Sequence, residues 1–166
     1  AGGGSVNEMG CMSTFAISPS DTNKYYFEAR MKAGSGGGNE QSVGVNVPTV
    51  DLTSDRGGRP TAWCITNSDN QRIYNGADSY TNTGVAGSAG DIVGVEIDRA
   101  NTTIKFYVNG TKIVEDTSGS VNPANTFTRI DFSDIGNTNK FYGKVKDLRV
   151  YNEALTDAQL QTLTTL

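Results

Sequence analysis

Between residues 92 and 108 the chain alternates apolar and polar side chains twice. Val93, Val95 and Ile97 share one face of a strand, with Gly94, Glu96 and Asp98 on the other. A polar turn, Arg99 to Thr103, follows, and Ile104, Phe106 and Val108 then resume the alternation, with Lys105 and Tyr107 facing away. Two half-buried antiparallel strands explain this pattern, with the charged face solvated. Asn109-Gly110 comes next, a pair that tolerates positive φ and marks a tight hairpin turn. A third strand is therefore expected over residues 111–115.

The same period recurs elsewhere. Residues 6–17 read as a weakly alternating first strand. Residues 24–32 place Tyr25, Phe27 and Ala29 on one face and Tyr26, Glu28 and Arg30 on the other. Tyr26 and Tyr107 are expected on the outer sheet face. Residues 40–47 turn Val43, Val45 and Val47 inward, and residues 61–66 form a strand with the single Trp. A short strand spans 71–74, and residues 77–89 read as polar loop with a brief strand. Residues 126–132 and 141–151 complete the set, the latter with a phase shift that predicts a bulge near Lys146-Asp147. One helix is expected, over residues 156–164. Thr156 and Gln159 have capping-box spacing, Leu155 and Leu160 form a staple, and Leu160 and Leu163 share a face. About two turns cannot stand alone in water, so this helix must dock on the rest.

Several segments resemble known modules. "GDIVGVEIDRANTTIKFYVNG" is similar to the central hairpin of SPRY domains, β-sandwich recognition modules. "KYYFEARM" and "SVGVN" resemble earlier strands of that family, and "RIYNGADSY" resembles a tyrosine-asparagine-glycine segment of SPRY-like domains in viral structural proteins. The tail "FYGKVKDLRVYNEALTDAQLQTL" instead resembles the closing strand and helix of concanavalin A-like, laminin-G-like modules of phage fibre proteins. Both resemblances imply one architecture: an all-β, antiparallel two-sheet β-sandwich with one short C-terminal helix. Neither implies a ligand.

Composition fits that picture. The 166 residues suit a single domain, 1–166, and 20 glycines against 4 prolines suit short strands and tight turns. Residues 1–5, Ala-Gly-Gly-Gly-Ser, read equally as a linker remnant or as the cut end of a longer chain. A net charge of −4 without a basic cluster argues against nucleic acid, and no apolar run reaches membrane-helix length. Cys11 and Cys64 allow one bridge, but two buried thiols are the favoured reading.

With no histidine, nucleophile systems and zinc sites that use imidazole are excluded. Some concanavalin A-like sandwiches are glucanases, with closely spaced carboxylates on one strand. Asp91, Glu96 and Asp98 are the nearest counterpart here, and scaffold charge on a sheet face is the preferred account. Oxygen-rich stretches could ligate calcium, with Asp51 and Asp55, or the segment from Asp131 to Asp134, as weak candidates. Turn formation is the preferred account of these residues. Asn101-Thr102-Thr103 and Asn109-Gly110-Thr111 match the N-glycosylation sequon.

Aromatic residues beside polar loops are the stronger signal. Tyr74 and Tyr80, with Asn75, Asp78 and Arg59 nearby in sequence, could form a stacking patch beside the loop at 49–60. Trp63 joins this candidate set, although a large aromatic in an apolar strand favours core packing. The resulting expectation is a non-enzymatic, lectin-like recognition module on a virion appendage, binding a cell-surface glycan or protein in a virion or extracellular setting. A homo-oligomer or a larger virion assembly would be consistent with it. A purely structural decoration or filament subunit is the alternative, and a glycan-active enzyme the third reading.

Overall fold

The computed structural model describes residues 11–12, 15–31, 41–47, 63–67, 72–75, 80–116, 129–134, 151, 156, 158–159 and 162. Ten strands lie within them: β1 (Cys11–Met12), β2 (Lys24–Arg30), β3 (Gln41–Asn46), β4 (Trp63–Asn67), β5 (Arg72–Asn75), β6 (Tyr80–Asn82), β7 (Ile92–Asp98), β8 (Thr103–Val108), β9 (Thr111–Asp116) and β10 (Arg129–Asp134). They form two antiparallel sheets. One has six strands in the order β1-β10-β3-β4-β5-β6, and the other four, in the order β2-β7-β8-β9.

The hairpin read from the sequence is the middle of the smaller sheet. Val93 pairs with Val108, Val95 with Phe106 and Ile97 with Ile104. All six are buried. They join Tyr25, Phe27 and Ala29 of β2 and Val43, Val45, Trp63, Ile65 and Ile73 of the larger sheet in one apolar cluster. Successive strand residues face opposite sides, so each sheet contributes alternate residues to the layer between them. At the β8–β9 turn, Asn109 and Gly110 have φ of 49° and 77°. That left-handed pair matches the strand twist of a two-residue hairpin.

A bulge follows that turn. Tyr107 pairs with Lys112 but Phe106 with Val114, leaving Ile113 as the extra residue of β9. The inserted residue shifts the side-chain phase, so Ile113 and Val114 both pack against the core. It also lets Lys112 Nζ meet Glu115 Oε2 at 2.8 Å.

The outer face of the smaller sheet is not solvated as expected. Tyr26 and Tyr107 are 2% and 1% exposed, and Glu96 and Asp98 are also buried. Tyr26 and Tyr107 meet edge-on with ring centroids 6.3 Å apart, and Tyr151 packs against them and bridges to Tyr26. The sequence pattern missed this second layer because tyrosines and charges alternating with aliphatics look the same whether water or another segment covers them. Gly94 explains how Tyr26 fits. A β-carbon there would lie 3.0 Å from Cε2 and Cζ of Tyr26 and closer still to its hydroxyl. The ring occupies the space a side chain would take.

Strand limits differ modestly from the sequence reading. The proposed first strand survives as Cys11–Met12, paired with β10. Asp131 and Asp134, considered as loop oxygens for calcium, lie instead in strand β10. Cys11 and Cys64 sit in strands separated by β10 and β3. Three strand spacings are about 14 Å, far beyond disulfide reach. Cys64 is a buried thiol, the favoured reading. The helix appears at Ala158, Gln159 and Thr162. The Thr156 hydroxyl accepts from Gln159 N at 3.3 Å, and Gln159 Oε1 accepts from Thr156 N at 2.8 Å. This is the reciprocal capping box. Leu155, Leu160, Leu163 and the expected bulge at Lys146-Asp147 lie outside the described residues.

Candidate functional site

Asp91, Glu96 and Asp98, the carboxylates nearest to a glucanase pattern, are all engaged within the smaller sheet and its turns. Glu96 Oε1 pairs with Lys105 Nζ at 2.9 Å, and its Oε2 accepts from the Tyr107 hydroxyl at 3.1 Å. Asp98 Oδ2 pairs with Lys24 Nζ at 2.8 Å and accepts from Asn101 Nδ2, while Oδ1 accepts from Asn101 N at 3.0 Å. Burial works to raise the Asp98 carboxyl, but the bonds from Lys24 and Asn101 outweigh it and hold the group below its ordinary value. A general acid needs the opposite shift. Asp91 is committed too: Oδ2 accepts from Ser88 N at 2.6 Å and Oδ1 from Asn109 Nδ2 at 2.9 Å. All three carboxylates bind their own scaffold.

Tyrosine chemistry on the smaller sheet is likewise structural. Burial, then the charge of Glu28, pushes the Tyr26 phenol well above its ordinary range. Its hydroxyl donates to Glu28 at 3.0 Å. Tyr25 donates a short bond to Asp21, which holds the Asp21 carboxyl below its usual value. Arg99 is buried beside them, with its backbone N donating to Asn23 O. Among the described residues no group of three or more potential ligands could hold a metal ion. Asp51 and Asp55 lie outside the described residues, as do Arg59 and Asp78.

The aromatic candidates divide. Trp63 is 4% exposed and belongs to the core cluster, so it offers no ring to a ligand. Tyr74, Asn75 and Tyr80 lie in the edge hairpin of the larger sheet, where Tyr74 and Tyr80 are direct register partners. Their row continues inward through Cys64, Gly44 and Asp131. The neighbouring row, Ile73, Ile65 and Val43, faces the core. Positions 74 and 80 therefore lie on the sheet face away from the core. In mid-sheet this face is covered as well, since Ser42, Cys64 and Thr66 are buried.

Register also locates the loop anchors. Val45 pairs with Trp63 and Trp63 with Asn75, so these three mark one end of the larger sheet. The connection 48–62 leaves next to Val47 and re-enters at Trp63. The connection 76–79 leaves at Asn75 and re-enters at Tyr80. Both are anchored at the same end. Arg129, which begins β10, pairs with Asn46 there too. The sequence brought these segments together only as neighbouring polar loops; the strand order is what gives them a common end.

The described residues thus form a two-sheet antiparallel β-sandwich in which Asp91, Glu96 and Asp98 are engaged by the scaffold and the 48–62 and 76–79 connections are anchored at one end of the larger sheet. The SPRY domain model matches residues 24–142, and the chain belongs to that family. No curated protein sequence matches it. Among solved structures it is similar to the SPRY domain of human HERC1, with 12% identity, TM-score 0.51, and coverage of 90% of this chain and 86% of that one. The binding domain of botulinum neurotoxin DC, solved in complex with rat synaptotagmin II, is similar at 13% identity and TM-score 0.50, with 86% of this chain covered. The TRIM65 PSpry domain shows 16% identity and TM-score 0.47 over 78% of this chain. The chain spans 60% of the TRIM65 chain and 35% of the toxin chain. At these identities the likenesses to the HERC1 domain and the toxin binding domain show the fold alone.

Proposed function

We propose that this chain is a non-enzymatic recognition module of a virion appendage, a tail or head fibre, that binds a cell-surface glycan or protein outside the cell. The observation that carries the reading is the register pairing of Tyr74 with Tyr80 on the face away from the core, at the sheet end that anchors the 48–62 and 76–79 connections. Two tyrosines paired in register on neighbouring strands would supply a stacking platform with polar tips, and long loops on a scaffold are where recognition sits. Asn75, Asp78 and Arg59 would add hydrogen bonds and charge. Membership in a family of recognition modules supports the same reading, as does the engagement of Asp91, Glu96 and Asp98 within the scaffold. The resemblance of the sequence to phage and virus fibre modules supports the virion setting.

Tyr74→Ala and Tyr80→Ala test it. Each should weaken binding on a glycan array or to cells by roughly 1 kcal/mol or more, as for aromatic hot spots, while the unfolding midpoint stays near wild type. If both variants bind as wild type, or lose stability instead of binding, the site falls and a structural subunit of a virion or filament becomes the better reading.

A further inference from the structure

Asn109-Gly110 is a reactive pair as well as a turn. Glycine puts no β-carbon in the way of its own backbone nitrogen. That nitrogen can attack the preceding side-chain carbonyl: Gly110 N bonds to Asn109 Cγ, the Cγ–Nδ2 bond breaks, and ammonia leaves with the amide proton. Water then opens the succinimide at either carbonyl, giving aspartate or isoaspartate. In the folded chain three contacts oppose ring closure. Asn109 Nδ2 donates to Asp91 Oδ1 at 2.9 Å, Asn109 Oδ1 accepts from Ile92 N at 2.9 Å, and Asn109 N donates to Ile92 O at 2.8 Å. The carboxamide is thus tied at both ends to the start of β7, and Asp91 is itself fixed by Ser88 N.

We infer that Asn109 is a deamidation site kept latent by the Asp91 clasp, and that its modification unlocks the β7–β8–β9 meander. The product would set a second carboxylate against Asp91, where a donor stood before. Asp91 is buried while Asn109 is exposed, so the change takes the donor from a buried acceptor and puts a like charge beside it. Isoaspartate would also add a methylene to a turn whose two residues hold φ of 49° and 77°. The device is independent of any ligand. Asn101 is held comparably, with Nδ2 on Asp98 at 2.8 Å, but it precedes Thr102, whose β-carbon hinders the attack.

The test uses the full chain, incubated in mildly alkaline buffer either native or in concentrated urea. Peptide mass mapping follows conversion of amide to acid at Asn109 and at Asn75, the latter also followed by glycine. In urea the two sites should convert at similar rates. Native Asn109 should be at least about tenfold slower than in urea, the factor that a local opening free energy of about 1.4 kcal/mol imposes. Asp91→Ala should speed native conversion at Asn109 several-fold while leaving Asn75 at its wild-type rate, and Asn109→Asp should lower the unfolding midpoint. Equal native and urea rates at Asn109 would overturn the inference. So would acceleration of both sites alike in Asp91→Ala, because protection would then belong to folding as a whole, and so would an unchanged midpoint in Asn109→Asp.

Discussion

Replacing Gly94 by alanine adds one methyl group to the middle of β7, and the structure says where it goes. The new β-carbon would sit 3.0 Å from two ring carbons of Tyr26 and closer to the hydroxyl. Tyr26 has little room to yield. It is 2% exposed, its hydroxyl bonds Glu28, and Tyr107 and Tyr151 flank its ring. Overpacking of this kind costs about 1–3 kcal/mol. Against it stands a gain of about 0.4–1 kcal/mol, because alanine restricts the unfolded chain more than glycine does. The net expectation is a loss of about 1–2 kcal/mol. For a chain of this size each kcal/mol lowers the midpoint by about 2–4 °C. Thermal unfolding followed by circular dichroism measures it. A double-mutant cycle with Tyr26→Phe locates the cause. Removing the hydroxyl relieves the nearest contact, so Gly94→Ala should cost less in the Phe background than in wild type. A midpoint for Gly94→Ala at or above wild type would refute the packing argument. Equal costs in both backgrounds would refute the assignment to the hydroxyl.

Gly44→Ala should be more damaging, since its β-carbon would overlap the Trp63 carbonyl and Cys64 in a paired strand, where no side-chain rotation helps; soluble yield and midpoint should both fall below those of Gly94→Ala. Thr156→Ala should cost about 1 kcal/mol through loss of the reciprocal cap, read as a lower midpoint; an unchanged midpoint would show that the cap contributes little. Stability should be nearly flat between about pH 6 and 8, because no histidine titrates there. Asp98 and Asp21 are both held below their ordinary values, so their contribution is complete above the unfolded value of about 3.9 and is lost as pH falls through the lower folded values. Asn101→Ala should weaken that acid dependence by removing one of the Asp98 donors, which a urea titration at several acidic pH values would reveal.

The alternation around Val95 and Phe106 fixed two strands, their register and their buried face, because a period of two leaves a single way to bury six aliphatic and aromatic residues together. Asn109-Gly110 dictated the turn for an equally local reason, its tolerance of positive φ. Thr156 and Gln159 announced their cap through spacing alone. What local pattern does not carry is which face meets another segment. Tyr26, Glu96 and Tyr107 alternate with the core residues as a solvated face would, yet they are buried under a second aromatic layer that includes Tyr151, remote in sequence. Trp63 could be named beside Tyr74 as a candidate ring, but only the pairing of β4 with β5 puts Trp63 in the core row and position 74 in the opposite one. Cys11 and Cys64 could be bridged until the strand order set β10 and β3 between them. Strand order, which gathers the anchors of distant loops at one sheet end, is a property of non-local pairing, and no period or dipeptide in the chain encodes it.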